Sequence, residues 1–406
     1  MIDHLFNIPF LVMLLGTLIV LSIILRSALE SLGLPSLIGF LCLGLLMETA
    51  DHQYGLLSAH YREVLTLFGQ IGLFTLLFRV GLESDLDGLM GQMRRASLVW
   101  AANLSVTGLL GYLTARFILN LPVVTAVIIA TAFTATSVGI SVAIWQENGD
   151  LQSKNGELLV DIAELDDLSA VVLMALLFNV LPILKQGPGP HIFGVVLKTT
   201  VLFMFKLSFF GAICYCFSRY VEAPLTQAWR GVKSPPDPMI LLVGLGFIFA
   251  ALAELLGFSL AIGAFFAGLV FSRDPQAVKI ESNFMPIYQL FSPFFFIGLG
   301  MGIDLNSIGP AMGLGLVLAT AAVFSKILAN GLPLMFMGGW SSALLIGVSM
   351  VPRAEIAMVI LQRGMKLGDW AVPPQVFGAM VIVSAITCLV SPVAVRSLLK
   401  KWPQKQ

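Results

Sequence analysis

Charge is what this chain has least of. Only 11% of its 406 residues are charged while 58% are hydrophobic, and the mean hydropathy is +0.93. Too few polar residues exist to cover a water-exposed surface, so a soluble protein of this length is excluded and a polytopic membrane protein is implied. Acids and bases cancel at 23 each, so no basic excess points to nucleic acid. Cysteine is scarce too. Cys42, Cys214, Cys216 and Cys388 stand in apolar runs and read as small buried hydrophobes, not as a disulfide or zinc framework. His4, His52, His60 and His191 fall at a terminus or in loops, where a solvated histidine is the default. No phosphate-cradling glycine loop stands between a strand and a helix pattern. Neither a resident cofactor nor an enzymatic role is therefore expected. The start, from Met1 to Phe6, lacks the basic leader of a cleaved signal peptide, so the first apolar run is expected to persist as a helix. The tail from Lys400 to Gln406 stops just after the last apolar run, and no soluble C-terminal domain is expected.

Long hydrophobic runs are what the chain has instead. Segments able to cross about 30 Å of hydrocarbon fall at roughly 8–28, 35–50, 63–83, 96–118, 122–146, 155–183, 192–219, 236–256, 258–274, 280–302, 308–330, 334–363 and 373–400. Basic residues orient them. With the N-terminus outside, the cytoplasmic side receives Arg94, Arg95, Lys154, Arg219, Arg230, Lys233, Arg273, Lys279 and the C-terminal cluster. The other side keeps Arg62, Arg116, Lys185 and Lys366. This asymmetry follows the positive-inside rule and predicts N-terminus out, C-terminus cytoplasmic, in the plasma (inner) membrane.

The two halves share a plan. The fifth run carries Thr134-Ala135-Thr136-Ser137-Val138-Gly139 and the twelfth carries Ser349-Met350-Val351-Pro352-Arg353-Ala354-Glu355. Each places helix-weakening residues mid-run, in register if the seventh run joins two six-span repeats. We expect a first repeat over 1–185, a linker helix and loop over 186–233, and a second repeat over 234–406. Interrupted helices in corresponding positions point to a transporter's binding site.

The sixth run holds the densest chemistry, Val160-Asp161-Ile162-Ala163-Glu164-Leu165-Asp166-Asp167-Leu168. Carboxylates at membrane depth are expensive and normally face a cavity or a partner. Asp166 and Asp167 lie about 100° apart on a helix, so both can border one cavity. Two close acids cannot easily both ionise without a cation, and a sodium ion and protons then compete for them. The alternative is a structural acid pair held by backbone donors. Asp161, nearer the cytoplasm, is placed to line an access funnel. Glu164 lies deep enough to need Arg353 or Lys326 as a salt-bridge partner. Lys326, in the middle of the eleventh run, has too much apolar chain on both sides to reach an interface. Such a lysine either pairs with a carboxylate or gives up its proton, and cation binding at the acids could displace it. Its alternative role is to neutralise a broken-helix dipole. Thr136 offers oxygens suited to a hard cation, and Ser137 can cap the second half-helix. Arg353 and Glu355 read as supporting groups that compensate half-helix ends or pair with other buried charges.

With these residues assembled, the chain resembles the monovalent cation:proton antiporter superfamily. It is most similar to the second family, which includes bacterial electrogenic sodium/proton antiporters and Kef-type potassium/proton exchangers. The resemblance rests on Gly33 to Gly39, Thr134 to Gly139, Asp166-Asp167, Ser259 to Phe265, Lys326 and Pro352 to Glu355, and covers nearly the whole chain. It implies an all-α fold of about 13 transmembrane helices, built as two inverted six-helix repeats with crossed discontinuous helices. It also implies a homodimer in the lipid bilayer with elevator-like alternating access. Residue by residue, it makes Asp167 the ion-binding aspartate, Asp166 its neighbouring acid and Lys326 the lysine of electrogenic members, while Thr136 and Ser137 match the first broken helix. The Asp-Asp pair with a lysine favours sodium (or lithium) over potassium, two protons against one cation. Asp161 and Glu164 depart from electrogenic relatives, as does Pro-Arg-Ala-Glu in place of Pro-Arg-Gly-Glu. The competing expectations are potassium/proton antiport, sodium-coupled solute symport, and a non-transporting sensor or assembly protein.

Overall fold

The structure is a computed structural model and describes residues 8–31, 36–83, 93–137, 139–185, 192–222, 224, 238–272, 277–303 and 308–404. Gly33 to Pro35, Val138, Arg230, Lys233, Arg273, His4 and His191, singled out in the sequence, lie outside the described residues. Among the described residues there is no strand. The helices are α1 (Ile8–Ser31), α2 (Ser36–Tyr54), α3 (Ala59–Glu83) and α4 (Met93–Leu113). Then follow α5 (Val123–Thr134), α6 (Gly139–Glu147), α7 (Lys154–Lys185) and α8 (Ile192–Cys216). The second half holds α9 (Pro238–Leu255), α10 (Leu260–Phe271), α11 (Ala277–Met301), α12 (Ile308–Met337), α13 (Gly339–Ser349), α14 (Glu355–Leu367) and α15 (Pro374–Lys401). Eight of the described helical segments are long and apolar enough to cross a membrane.

The fifth and twelfth hydrophobic runs are each two half-helices, α5 with α6 and α13 with α14. Ala135 leaves the first helix in an extended conformation (φ −64°, ψ 142°). Pro352 stands in the second gap, where it lacks an N–H and disfavours helix at the residue before it. The two gaps touch, since the Ser137 N–H donates to the Pro352 carbonyl at 2.8 Å. The boundary between the eleventh and twelfth runs differs most from the sequence expectation. The eleventh run does not end near residue 330; α12 continues through Pro333 to Met337 and turns at Gly338 and Gly339, where φ is +83°. Glycine tolerates that left-handed backbone, and the helix accommodates Pro333 four residues before its end.

The helices divide into two compact units. Among the described residues, unit 1 takes 8–31, 36–83, 197–222, 224, 238–272 and 277–302, and unit 2 takes 93–137, 139–185, 192–196, 303 and 308–404. Apart from α8, most of which falls in unit 1, each half of the chain therefore gives three spans to each unit. Unit 1 is close-packed through glycine. A Cβ on Gly268 of α10 would lie 2.1 Å from the Phe78 carbonyl of α3, and one on Gly300 of α11 would lie 2.1 Å from the Leu41 carbonyl of α2. Only a missing side chain lets these backbones approach so closely. Around them Phe74 stacks on Phe247 at 4.1 Å, and Phe78 packs on Phe284 at 5.1 Å. Unit 2 has an apolar core of Trp145, Leu159, Ile162, Leu345, Ile346 and Met350. The indole N–H of Trp145 is satisfied by Ser349 Oγ at 2.9 Å.

Candidate functional site

Unit 2 builds its site where α7 passes the crossed gaps. Amphipathic logic would put acids on the surface, yet Asp166 is fully buried, as are Lys326 and Arg353. Lys326 Nζ lies 3.1 Å from Asp166 Oδ2. The same ammonium donates to Thr136 Oγ1 at 2.6 Å and to the Thr134 carbonyl at 2.8 Å. An ammonium has three donors, so Lys326 is saturated. Its partners form a cage of three oxygens, a donor set that also suits a hard monovalent cation. Asp166 is equally well held, with Thr136 Oγ1 donating to Oδ2 and Asn103 Nδ2 donating to Oδ1 at 2.7 Å. A buried charge pair survives only when its remaining lone pairs and protons are satisfied, and this one meets that condition.

The half-helix ends supply the rest. Thr134, the last residue of α5, turns its carbonyl to Lys326 because the chain stops being helical there and leaves that acceptor open. Arg353, in the second gap, donates to the Phe133 carbonyl at 2.9 Å, the Val351 carbonyl at 3.2 Å and the Ala322 carbonyl at 3.3 Å. Its guanidinium also lies 4.7 Å from the centre of the Phe133 ring. One arginine thus meets exposed carbonyls of both broken helices, where the partial negative charge of helix C-termini gathers. The Ser137 hydroxyl donates to Glu355 Oε2. That bond ties the far side of the first gap to the first residue of α14.

Asp161, Glu164 and Asp167 are half-buried and each is engaged in an interaction. Asp167 lies within electrostatic reach of Lys326. The salt bridge expected between Glu164 and Lys326 is not the one Lys326 makes, because Asp166 and two other oxygens fill its donors. Arg353 likewise turns to carbonyls. Outside the site, His60 is exposed and sits 3.6 Å from Glu63, and His52 is exposed. Among the described residues no group of three or more His, Cys, Asp or Glu could hold a metal ion.

Two residues of this network were passed over in the sequence. Asn103 of α4 and Asn330 of α12 are both wholly buried. Asn330 Nδ2 donates to Asn103 Oδ1 at 3.3 Å and to the Lys326 carbonyl at 2.9 Å. The signal was present: an amide side chain alone inside an apolar run, and another one turn beyond a mid-membrane lysine.

Known proteins resemble this chain in sequence and in fold. A sequence model of the family described as "Sodium/hydrogen exchanger, transmembrane" matches residues 16–401. The Na(+)/H(+)-K(+) antiporter GerN of Bacillus cereus is 29% identical over 364 residues, covering 89% of each chain. A Na(+)/H(+) antiporter of Enterococcus hirae is 25% identical over 91% of this chain and 93% of its own. The solved sodium proton antiporter MjNhaP1 from Methanocaldococcus jannaschii shares the fold, with a TM-score of 0.70 over 98% of this chain and 97% of that one, at 16% identity. With nearly its whole length matched, the chain belongs to the transmembrane sodium/hydrogen exchanger family and is a multi-pass cation/proton antiporter.

Proposed function

We propose that this antiporter exchanges Na⁺ (or Li⁺) for H⁺ by elevator-like alternating access, with unequal charge moved per cycle. One observation carries the reading: a fully buried Lys326–Asp166 ion pair at the crossing of two broken helices, with Asp167 beside it. In this scheme Asp167 receives the cation and Asp166 holds the ammonium. An arriving cation displaces the proton held by Asp167 and competes with Lys326 for Thr136 Oγ1 and Asp166 Oδ2, and the displaced ammonium sheds a second proton, so two protons leave for one cation. Proton return restores the pair. Asp166, Asp167, Thr136 and Lys326 carry the ions; Ser137, Asp161, Glu164, Arg353 and Glu355 support them.

The remaining parts of the reading rest on the sequence. Inverted repeats over 1–185 and 234–406 are supported by the matching glycine spacing of Gly39 and Gly44 in α2 with Gly263 and Gly268 in α10. A homodimer in the plasma (inner) membrane, N-terminus out, follows from the family resemblance and the basic-residue asymmetry.

The test is proton flux in vesicles containing the purified chain, driven in turn by Na⁺, Li⁺ and K⁺, with and without a clamped membrane potential. Sodium- or lithium-driven flux that responds to the potential is expected. Flux driven by K⁺ alone would reassign the cation, a reading that the potassium in the name of the Bacillus cereus relative keeps in play. Potential-independent exchange would overturn the unequal stoichiometry.

A further inference from the structure

The charges of unit 2 are sorted by sign along α7. Between its start and the site the helix carries Glu157, Asp161 and Glu164; beyond Asp167 it has no acid and ends on Lys185. The rest of the unit repeats this on the far side of the crossed gaps. There the described stretches 104–134, 308–325 and 356–387 hold Arg116, Arg363 and Lys366 against a single acid, the exposed Asp369. The near end has bases too, among them Lys154, which is exposed, and Arg396, which is paired with Glu147. One base of the far set stands over the face of α7 that carries Asp167. Phe178 follows Asp167 by about three turns and lies about 20° from it round the helix, and the half-buried Arg363 holds its guanidinium 5.2 Å from the centre of that ring. Lys366, one turn further along α14, is within electrostatic reach of Arg363. Anchoring at the membrane interface accounts for Lys185, whose ammonium sits 4.6 Å from the Trp370 ring. It does not account for Arg363, which is packed against α7.

We propose that Arg363, with Lys366 behind it, makes the exchanger sided: a cation reaches Asp167 readily along Asp161 and Glu164 and is repelled along the far half of α7. The proposal rests on Asp167 as the cation ligand. A route lined by charge of one sign concentrates ions of the opposite sign and excludes its own. The cation concentration for half-maximal exchange is therefore lower on the membrane face where α7 starts than on the face where it ends. The equilibrium gradient is untouched, because a charge that slows entry from one face hastens release to it by the same factor. With α7 starting in the cytoplasm, as the basic-residue asymmetry implies, the arrangement favours cation export.

The experiment titrates Na⁺ from each face in inside-out and right-side-out membrane vesicles containing the full chain, with proton flux as the readout. The unaltered chain should need less Na⁺ on the face where α7 starts. Arg363→Gln should lower the half-maximal concentration on the other face about threefold and leave the first face as it was. Arg363→Lys keeps the charge but not the planar stack, and should match the unaltered chain. Lys366→Gln should act in the direction of Arg363→Gln by less. Added choline chloride should shrink the difference between faces through screening. If Arg363→Gln fails to fold, Lys366→Gln decides. Equal half-maximal concentrations on the two faces of the unaltered chain, or an Arg363→Gln effect that is absent or the same on both faces, would overturn the proposal and leave antiport standing. Full flux from Asp167→Ala would instead remove the ion-binding assignment, and this proposal with it.

Discussion

Leaving α8 aside, unit 1 and unit 2 draw the same number of spans from each half of the chain but hold them together by different means. In unit 1, α2 meets α11 and α3 meets α10 at glycines, backbone against backbone, and phenylalanines fill the space beside the crossings. Its buried charge among the described residues is Asp51, at the end of α2, where Arg62 bonds to it. Unit 2 interrupts two of its helices and places Asp166, Lys326 and Arg353 in its interior. The contrast separates two tasks. Dispersion between close backbones is strong only at one geometry and favours a fixed body. In the proposed exchange the Lys326–Asp166 pair alternates between ion-paired and cation-loaded states.

Substitutions can break this division of labour. The largest effect is expected from Asp167→Ala, which should reduce cation-driven proton flux to the level of empty vesicles; substantial residual flux would remove the ion-binding assignment. Lys326→Ala should come next. It strips the buried Asp166 of its counter-charge, costing about 3–5 kcal/mol of stability unless that acid takes up a proton. It should also make any remaining exchange insensitive to membrane potential, because the displaced ammonium no longer supplies a charge. Retained voltage dependence would show that Lys326 is only structural.

Gly268→Leu tests the other unit. A side chain there runs into the Phe78 carbonyl, so thermal unfolding in detergent should show a loss of about 1–3 kcal/mol or more. Cation preference and voltage dependence in the folded fraction should stay unchanged, and a change in either would mean that the units are not separable in function. The smallest effect is expected from Ser137→Ala. It removes the hydroxyl bonded to Glu355, worth about 1–2 kcal/mol, and should slow exchange severalfold without altering its voltage dependence.

Much of this arrangement is legible in the chain itself. Most of the hydrophobic runs fall on described helices, because a membrane span must be both long and apolar, and composition alone reports that. The two interruptions are marked by Thr134 to Ser137 and by Pro352, residues that weaken helix for local reasons. The eleventh run was ended near residue 330, whereas α12 continues through Pro333 and the turn is made at Gly338 and Gly339. The partner of Lys326 was open between two adjacent acids, and Glu164 was offered a bond to a cation that Asp166 occupies.

The sequence by itself thus determined that the chain spans a membrane, where its helices weaken, and which few charges must be buried, since all three follow from hydropathy and local backbone preference. Only the tertiary structure decided which charges meet. Asn103, Thr134, Thr136, Asp166, Lys326 and Arg353 come from separate helices and gaps. The angle at which each side chain enters the site is set by packing between helices, and residue spacing along one helix carries no record of it.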